Sequence, residues 1–125
     1  MKRKSLTKAE EELMGHVWHL KRVTVGQLRD AIASANEGKK PAHSTVSTLM
    51  KHLVEKDYVS YEVYGRTWVY SPKVNQNNYR KSKLGAFVNR FFGGSAQSMI
   101  SFLVAENDLS LSDLAELTNR LKEEE

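Results

Sequence analysis

Cysteine is missing from all 125 residues, which removes disulfides, thiolate zinc sites and cysteine nucleophiles together. Nor is there an apolar run near the roughly 18 residues that a membrane span needs. The start, MKRKSLTKAEEEL, has basic residues without the apolar stretch that follows them in a secretory signal. A soluble, cytoplasmic chain with no membrane insertion is expected. Catalytic signatures are lacking too: no nucleophile sits beside a base, no glycine-rich loop could cradle phosphate, and no carboxylate pair is set to shift its pKa. His16 and His19, with Glu12 one turn earlier, have a spacing that zinc can use. Histidines on an amphipathic helix are far more often solvated side chains. No enzyme activity, cofactor or metal site is therefore expected.

What the chain has is an uneven charge. Residues 1–83 hold 16 Lys or Arg against 8 Asp or Glu, whereas residues 84–125 hold 3 against 7. A first part at +8 joined to a second at −4 suits a polyanion partner for the first part and another task for the second.

Hydrophobic spacing divides the chain in the same way. Thr7 and Glu10 form a capping box ahead of a stripe of Leu13, Met14, Val17 and Trp18 that runs to about Leu20. Thr24 and Gln27 form a second box, opening a helix whose Val25, Leu28 and Ile32 face inward, and the polar run Asn36 to Pro41 ends it. A third helix extends to about Lys56. Residues 58–72, YVSYEVYGRTWVYSP, are rich in aromatic and β-branched side chains and broken at Gly65, which predicts a hairpin turning at Tyr64 to Arg66. Three helices and a hairpin make a winged helix-turn-helix, with the third helix suited to a DNA major groove and the hairpin lying beside it. Residues 1–74 are read as this DNA-binding domain. After it the pattern is helical: Leu84, Phe87, Val88, Phe91 and Phe92 precede Gly93 and Gly94, then come Met99, Ile100, Phe102 and Leu103. A Ser110 and Asp113 box, stapled by Leu109 and Leu114, leads to Leu117 and Leu121. The expected fold class is mainly α with a small β-hairpin, ending in a helical dimerisation region at 75–125. So short a segment cannot hide Phe87, Phe91, Met99, Phe102, Leu103, Leu114, Leu117 and Leu121 by itself, and a second copy of the chain is the simplest cover.

The third helix is odd on its outer side. Val46, Leu49, Met50, Leu53 and Val54 share one arc at about 100° per residue, and Ser44, Thr45, Ser47, Thr48, Lys51 and His52 share the other. An ordinary solvated face favours Glu, Lys, Arg and Gln, which are better helix formers than hydroxyl residues. Short hydroxyls permit close approach to base edges and phosphates, and a few cations hold the register. Ser44, Thr45, Ser47, Thr48 and Lys51 supply that chemistry, with Arg66 at the wing tip and Lys2, Arg3, Lys4, Lys39 and Lys40 as a diffuse cationic flank.

The stretches LTKAEEELMGHVW, STVSTLMKHLVEKDYVSYEVYGRTWVYSP and LGAFVNRFFGGSAQSMISFL, in that order, resemble penicillinase repressors of the BlaI and MecI type from about Leu6 to Leu121. The resemblance implies a homodimeric winged-helix repressor on a dyad-symmetric operator, joined through its C-terminal helices. It also implies a membrane sensor-protease as partner, which relieves repression by cutting in the dimerisation region. Thr45, Thr48, Gly65 and Arg66 match the family's DNA-contacting surface. Three departures accompany it. The family's Trp ahead of the third helix and Lys near its first turn are replaced within KKPAHS, its scissile Asn-Phe pair is Ser101-Phe102, and the cysteine cluster of its copper-responsive branch is missing.

Two functional classes follow. The first is a homodimeric transcriptional repressor binding a double-stranded DNA operator. The second is a winged-helix module that binds protein through Tyr61, Tyr64, Trp68 and Tyr70, and such a module has no need of the basic N-terminal part.

Overall fold

A computed structural model describes residues 3–107 and, beyond them, Ser110, Ser112, Asp113, Ala115, Glu116 and Asn119. Its elements run α1 (Lys8–Leu20), α2 (Val25–Ala35), α3 (His43–Glu55), β1 (Val59–Tyr64), β2 (Thr67–Pro72), α4 (Gln76–Phe92) and α5 (Ala96–Asn107). The chain forms two compact units, residues 1–78 and 79–125. Their division falls inside the first turn of α4, a few residues past the boundary read from the sequence.

Both expected capping boxes are present. The Thr7 amide donates to Glu10 Oε1 at 2.8 Å while the Glu10 amide donates to Thr7 Oγ1 at 3.2 Å. Thr24 and Gln27 repeat the exchange at 2.9 and 3.2 Å. Each box satisfies two amides that a helix start leaves without partners. The helices bury one stripe each: Leu13, Met14 and Val17 from α1, Val25 and Leu28 from α2, and Val46, Met50 and Leu53 from α3. At roughly 1.5–3 kcal/mol per fully buried large side chain, these stripes hold the first unit together. Trp18, Ile32, Leu49 and Val54 are only half-buried. Trp18 sits at the core's edge because its indole N–H donates to the Val74 carbonyl at 2.8 Å.

The hairpin pairs Val59 with Pro72 through Tyr64 with Thr67, leaving Gly65 and Arg66 as a two-residue turn. Gly65 has φ +65°, and a positive φ confined to the first central residue is the pattern of a type II′ hairpin. Val23 adds a third, one-residue rung, exchanging both backbone hydrogen bonds with Tyr70 at 2.9 and 2.7 Å. The helix pattern on either side of Val23 hid this rung from a reading by periodicity. It ties the wing to the α1–α2 connection, and Tyr58, Val59, Val23 and Tyr70 complete the core.

Beneath the end of α3 lies a buried carboxylate. Glu10 is 2% exposed and reaches Lys56 Nζ at 2.6 Å and His52 Nδ1 at 3.5 Å. Burial pushes its pKa up, yet hydrogen bonds from Lys56 and Thr7 outweigh this and hold the carboxyl below its ordinary value. The N-terminal segment straps over the same end: Lys56 Nζ donates to the Ser5 carbonyl, the Tyr58 hydroxyl to the Lys4 carbonyl, and Arg3 Nε to the Asp57 carbonyl.

In the second unit, Gly93 and Gly94 adopt φ 59° and 85° and stop α4, and Ser95 caps α5 by accepting from the Ser98 amide. Ser110 and Asp113 exchange their expected reciprocal bonds at 3.1 and 3.0 Å. Val88 is the buried residue of α4. Leu84, Phe87, Phe91, Ile100 and Phe102 are each more than 40% exposed.

Candidate nucleic-acid interface

The outer face of α3 is free. Its N-cap is Ala42, with no side-chain cap bond, so the hydroxyls that follow are not spent on helix initiation. Ser44, Thr45, Thr48 and Lys51 are exposed and Ser47 half-buried, and none of these side chains bonds to another group among the described residues. Arg66 at the wing tip is likewise exposed and without a partner there. A folded domain normally pairs such groups with itself or leaves them to solvent or a ligand.

Between α3 and the wing runs an open groove of about 820 Å³. Ser47, Thr48, Lys51 and Val54 form one wall, and Tyr61, Arg66, Thr67 and Trp68 the other. Thr24, Val25 and Gly26, the start of α2, close an end. Four of the expected residues, Ser47, Thr48, Lys51 and Arg66, therefore meet around one concavity. Ser44 and Thr45 lie on the first turn of α3, outside the lining. Glu55 is the single carboxylate in the lining, against Lys51 and Arg66.

The wing aromatics divide by strand parity, which amends their treatment as one surface. Tyr61, Val63, Trp68 and Tyr70 share one face, with the Tyr61 and Trp68 rings stacked at 4.5 Å and 18°. Tyr64 lies on the other face, where its hydroxyl meets Glu62 at 2.5 Å and accepts from Arg22 at 2.7 Å. Burial raises the pKa of Tyr70, the innermost ring of the groove side, and Tyr61 adds to the shift.

Several flanking charges are engaged. Arg3 pairs with Asp57 at 3.4 Å, Lys73 pairs with the same carboxylate, and Lys40 pairs with Asp30 at 2.7 Å. The hydrogen bond from Lys73 lowers the Asp57 pKa, and that from Lys40 lowers the Asp30 pKa. His52, placed with the outer arc by the helical wheel, turns to Glu10 instead. Sequence spacing missed these pairs because none lies at the three- or four-residue spacing of one helix face: each joins two different segments of the chain. No cluster of three or more metal-ligating side chains occurs among the described residues, His16 and His19 included, and no described helix is long and apolar enough to cross a membrane.

In the second unit, Phe87, Phe91 and Phe102 are exposed, while Met99 and Leu103 are half-buried. Phe87 packs on Phe91 at 4.8 Å, and Phe102 meets Phe92 edge-on at 5.6 Å. Leu114, Leu117 and Leu121 lie outside the described residues. Ser101 and Phe102 stand mid-helix in α5, both exposed.

Comparison with known proteins agrees with this geometry. The sequence model described as "Penicillinase repressor" matches residues 6–123. The penicillinase repressor of Bacillus licheniformis is 25% identical over 118 residues, covering 94% of this chain and 90% of that one. The methicillin resistance regulatory protein MecI of Staphylococcus aureus strain N315 is 22% identical, covering 93% and 92%. Among solved structures, the DNA-binding domain of the repressor BlaI superposes with a TM-score of 0.52 at 20% identity, covering 62% of this chain and 92% of that one. That likeness places the first unit among winged helices.

Proposed function

The chain belongs to the penicillinase repressor family, and from that premise we propose that it is a transcriptional repressor binding double-stranded DNA through α3 and the wing. The observation that carries this reading is the groove face itself. Hydroxyls and cations without internal partners line a concavity between a helix and a hairpin, with one carboxylate among them. Thr48 and Ser47 suit base edges and thymine methyls, and Lys51 and Arg66 suit phosphates.

The exposed phenylalanines of the second unit supply the apolar part of a two-fold interface between copies. Two α3 helices then address an inverted repeat with half-sites about one helical turn apart, or a multiple of it. Release by a sensor-protease would occur at Ser101-Phe102. Because that pair lies within α5, the helix must open locally before a protease can take it as an extended strand.

The test is to recover duplexes from genomic fragments with the full chain and to titrate one against salt. A repressor of this kind gives a steep fall in affinity, roughly one logarithmic unit of slope per phosphate contacted. The rival reading, a protein-binding module, draws support from Tyr61 and Trp68, each 45% exposed. Failure to enrich any duplex, with the fold intact, would favour it.

A further inference from the structure

A helix in the major groove and a wing over the adjacent minor groove are separated by one sugar–phosphate strand. In this chain the space between α3 and the wing is the open groove, and its wing wall is aromatic apart from Arg66 at the tip and Thr67. Tyr61 and Trp68 stack at 4.5 Å, each 45% exposed, and the strand register turns both rings to the groove side. Lys51 stands on the helix wall and Arg66 at the tip. A planar apolar surface flanked by two cations matches the alternation of deoxyribose and phosphate along a strand.

We propose that the Tyr61–Trp68 pair is a DNA contact that receives the deoxyribose faces of the strand passing between α3 and the wing, while Lys51 and Arg66 take its phosphates. This rests on the DNA-binding reading above. Sugars are the same at every step, so the contact holds the duplex in register without reading sequence. Burying apolar surface releases no counterions, and so it strengthens binding without steepening the salt dependence. The aromatic pair therefore has a signature of its own. Base-reading residues change discrimination, phosphate-binding residues change the salt slope, and these rings change neither.

The experiment uses the full chain, a duplex recovered by it from genomic fragments, and a scrambled duplex of equal length. Trp68→Ala is expected to weaken binding to both duplexes alike by about tenfold or more, the scale of covering at least half of the indole surface left exposed, with the slope against salt unchanged. Trp68→Phe keeps a ring in place and should recover most of the affinity, and Tyr61→Ala should reproduce the loss. Circular dichroism of each variant checks that the hairpin persists. Wild-type affinity in a folded Trp68→Ala chain overturns the proposal while leaving the DNA-binding reading in place, as does a loss confined to the recovered duplex or accompanied by a shallower salt slope. Should Trp68→Ala unfold the wing, the same three outcomes are read from Trp68→Leu, which keeps an apolar side chain without a ring. A wild-type chain that recovers no duplex from genomic fragments overturns both readings.

Discussion

Thr48 and Lys51 lie less than one turn apart on α3, and their chemistries predict different losses. A threonine at a base edge contributes to discrimination, so Thr48→Ala should narrow the gap between recovered and scrambled DNA by about 1–3 kcal/mol. Lysine at a phosphate acts on every sequence, so Lys51→Ala should weaken both and reduce the salt slope by about one unit. Gel-shift titration at several salt concentrations separates the two, and unchanged curves for both variants would remove α3 from the groove. Glu10 makes a different case, because its value is internal. Its carboxyl is held below the ordinary value of 4.5 in the folded state. Its contribution is then complete above the unfolded pKa and is lost as pH falls through the folded one. Glu10→Gln leaves Lys56 short of its partner and should cost about 1–3 kcal/mol at pH 7. Urea denaturation at pH 7 and pH 3.5 checks this, with the gap between variant and wild type shrinking at the lower pH.

At the level of elements, the hairpin depends on one backbone position. A Cβ at Gly65 would meet nothing within 4 Å, so a substitution there is penalised by its φ of +65° and not by crowding. Gly65→Ala is expected to cost about 1–2 kcal/mol, the penalty of left-handed backbone for an L side chain, read as a lower melting temperature. Arg66→Ala, one residue on, should do the reverse: lose DNA affinity and leave the melting temperature unchanged, since an exposed turn side chain contributes little to the fold. The turn itself was legible because glycine between two β-rich runs is a local signal, and so were both capping boxes and the three core stripes. Local patterns report local structure. The Val23 rung, the Glu10–Lys56 pair and the Arg3–Asp57 pair were illegible for the complementary reason: they join residues far apart in sequence, and nothing at Val23 or Glu10 alone names its partner. At the site, the hydroxyl face of α3 could be read from helical spacing. The aromatic wall could be seen as composition but not as a wall, because strand parity separates Tyr64 from Tyr61 and Trp68 only once the register is known.

At the scale of the whole chain, the two units have opposite deficits. The first buries its apolar stripes and leaves polar groups unpaired on α3. The second exposes Leu84, Phe87, Phe91 and Phe102 and, by sequence, holds 6 Lys or Arg against 7 Asp or Glu in residues 79–125. So balanced a charge gives little pull toward a phosphate backbone, whereas exposed phenylalanines favour another apolar surface, which a second copy would provide in the proposed dimer. Joining two DNA-binding units makes the second half-site encounter intramolecular, which multiplies affinity without any new DNA contact. A chain ending at Asn78, at the limit of the first compact unit, should therefore remain folded and sediment as a monomer. It should bind a single half-site as the full chain does, yet bind the inverted repeat about a hundredfold or more weakly, the usual gain from such linkage. The full chain should sediment as a dimer at micromolar concentration, and Phe87→Asp with Phe91→Asp should return it to monomer with the truncated chain's affinity. A full chain that is monomeric and binds the repeat no better than residues 1–78 would sever the second unit from DNA binding, and its exposed phenylalanines would then need a different partner.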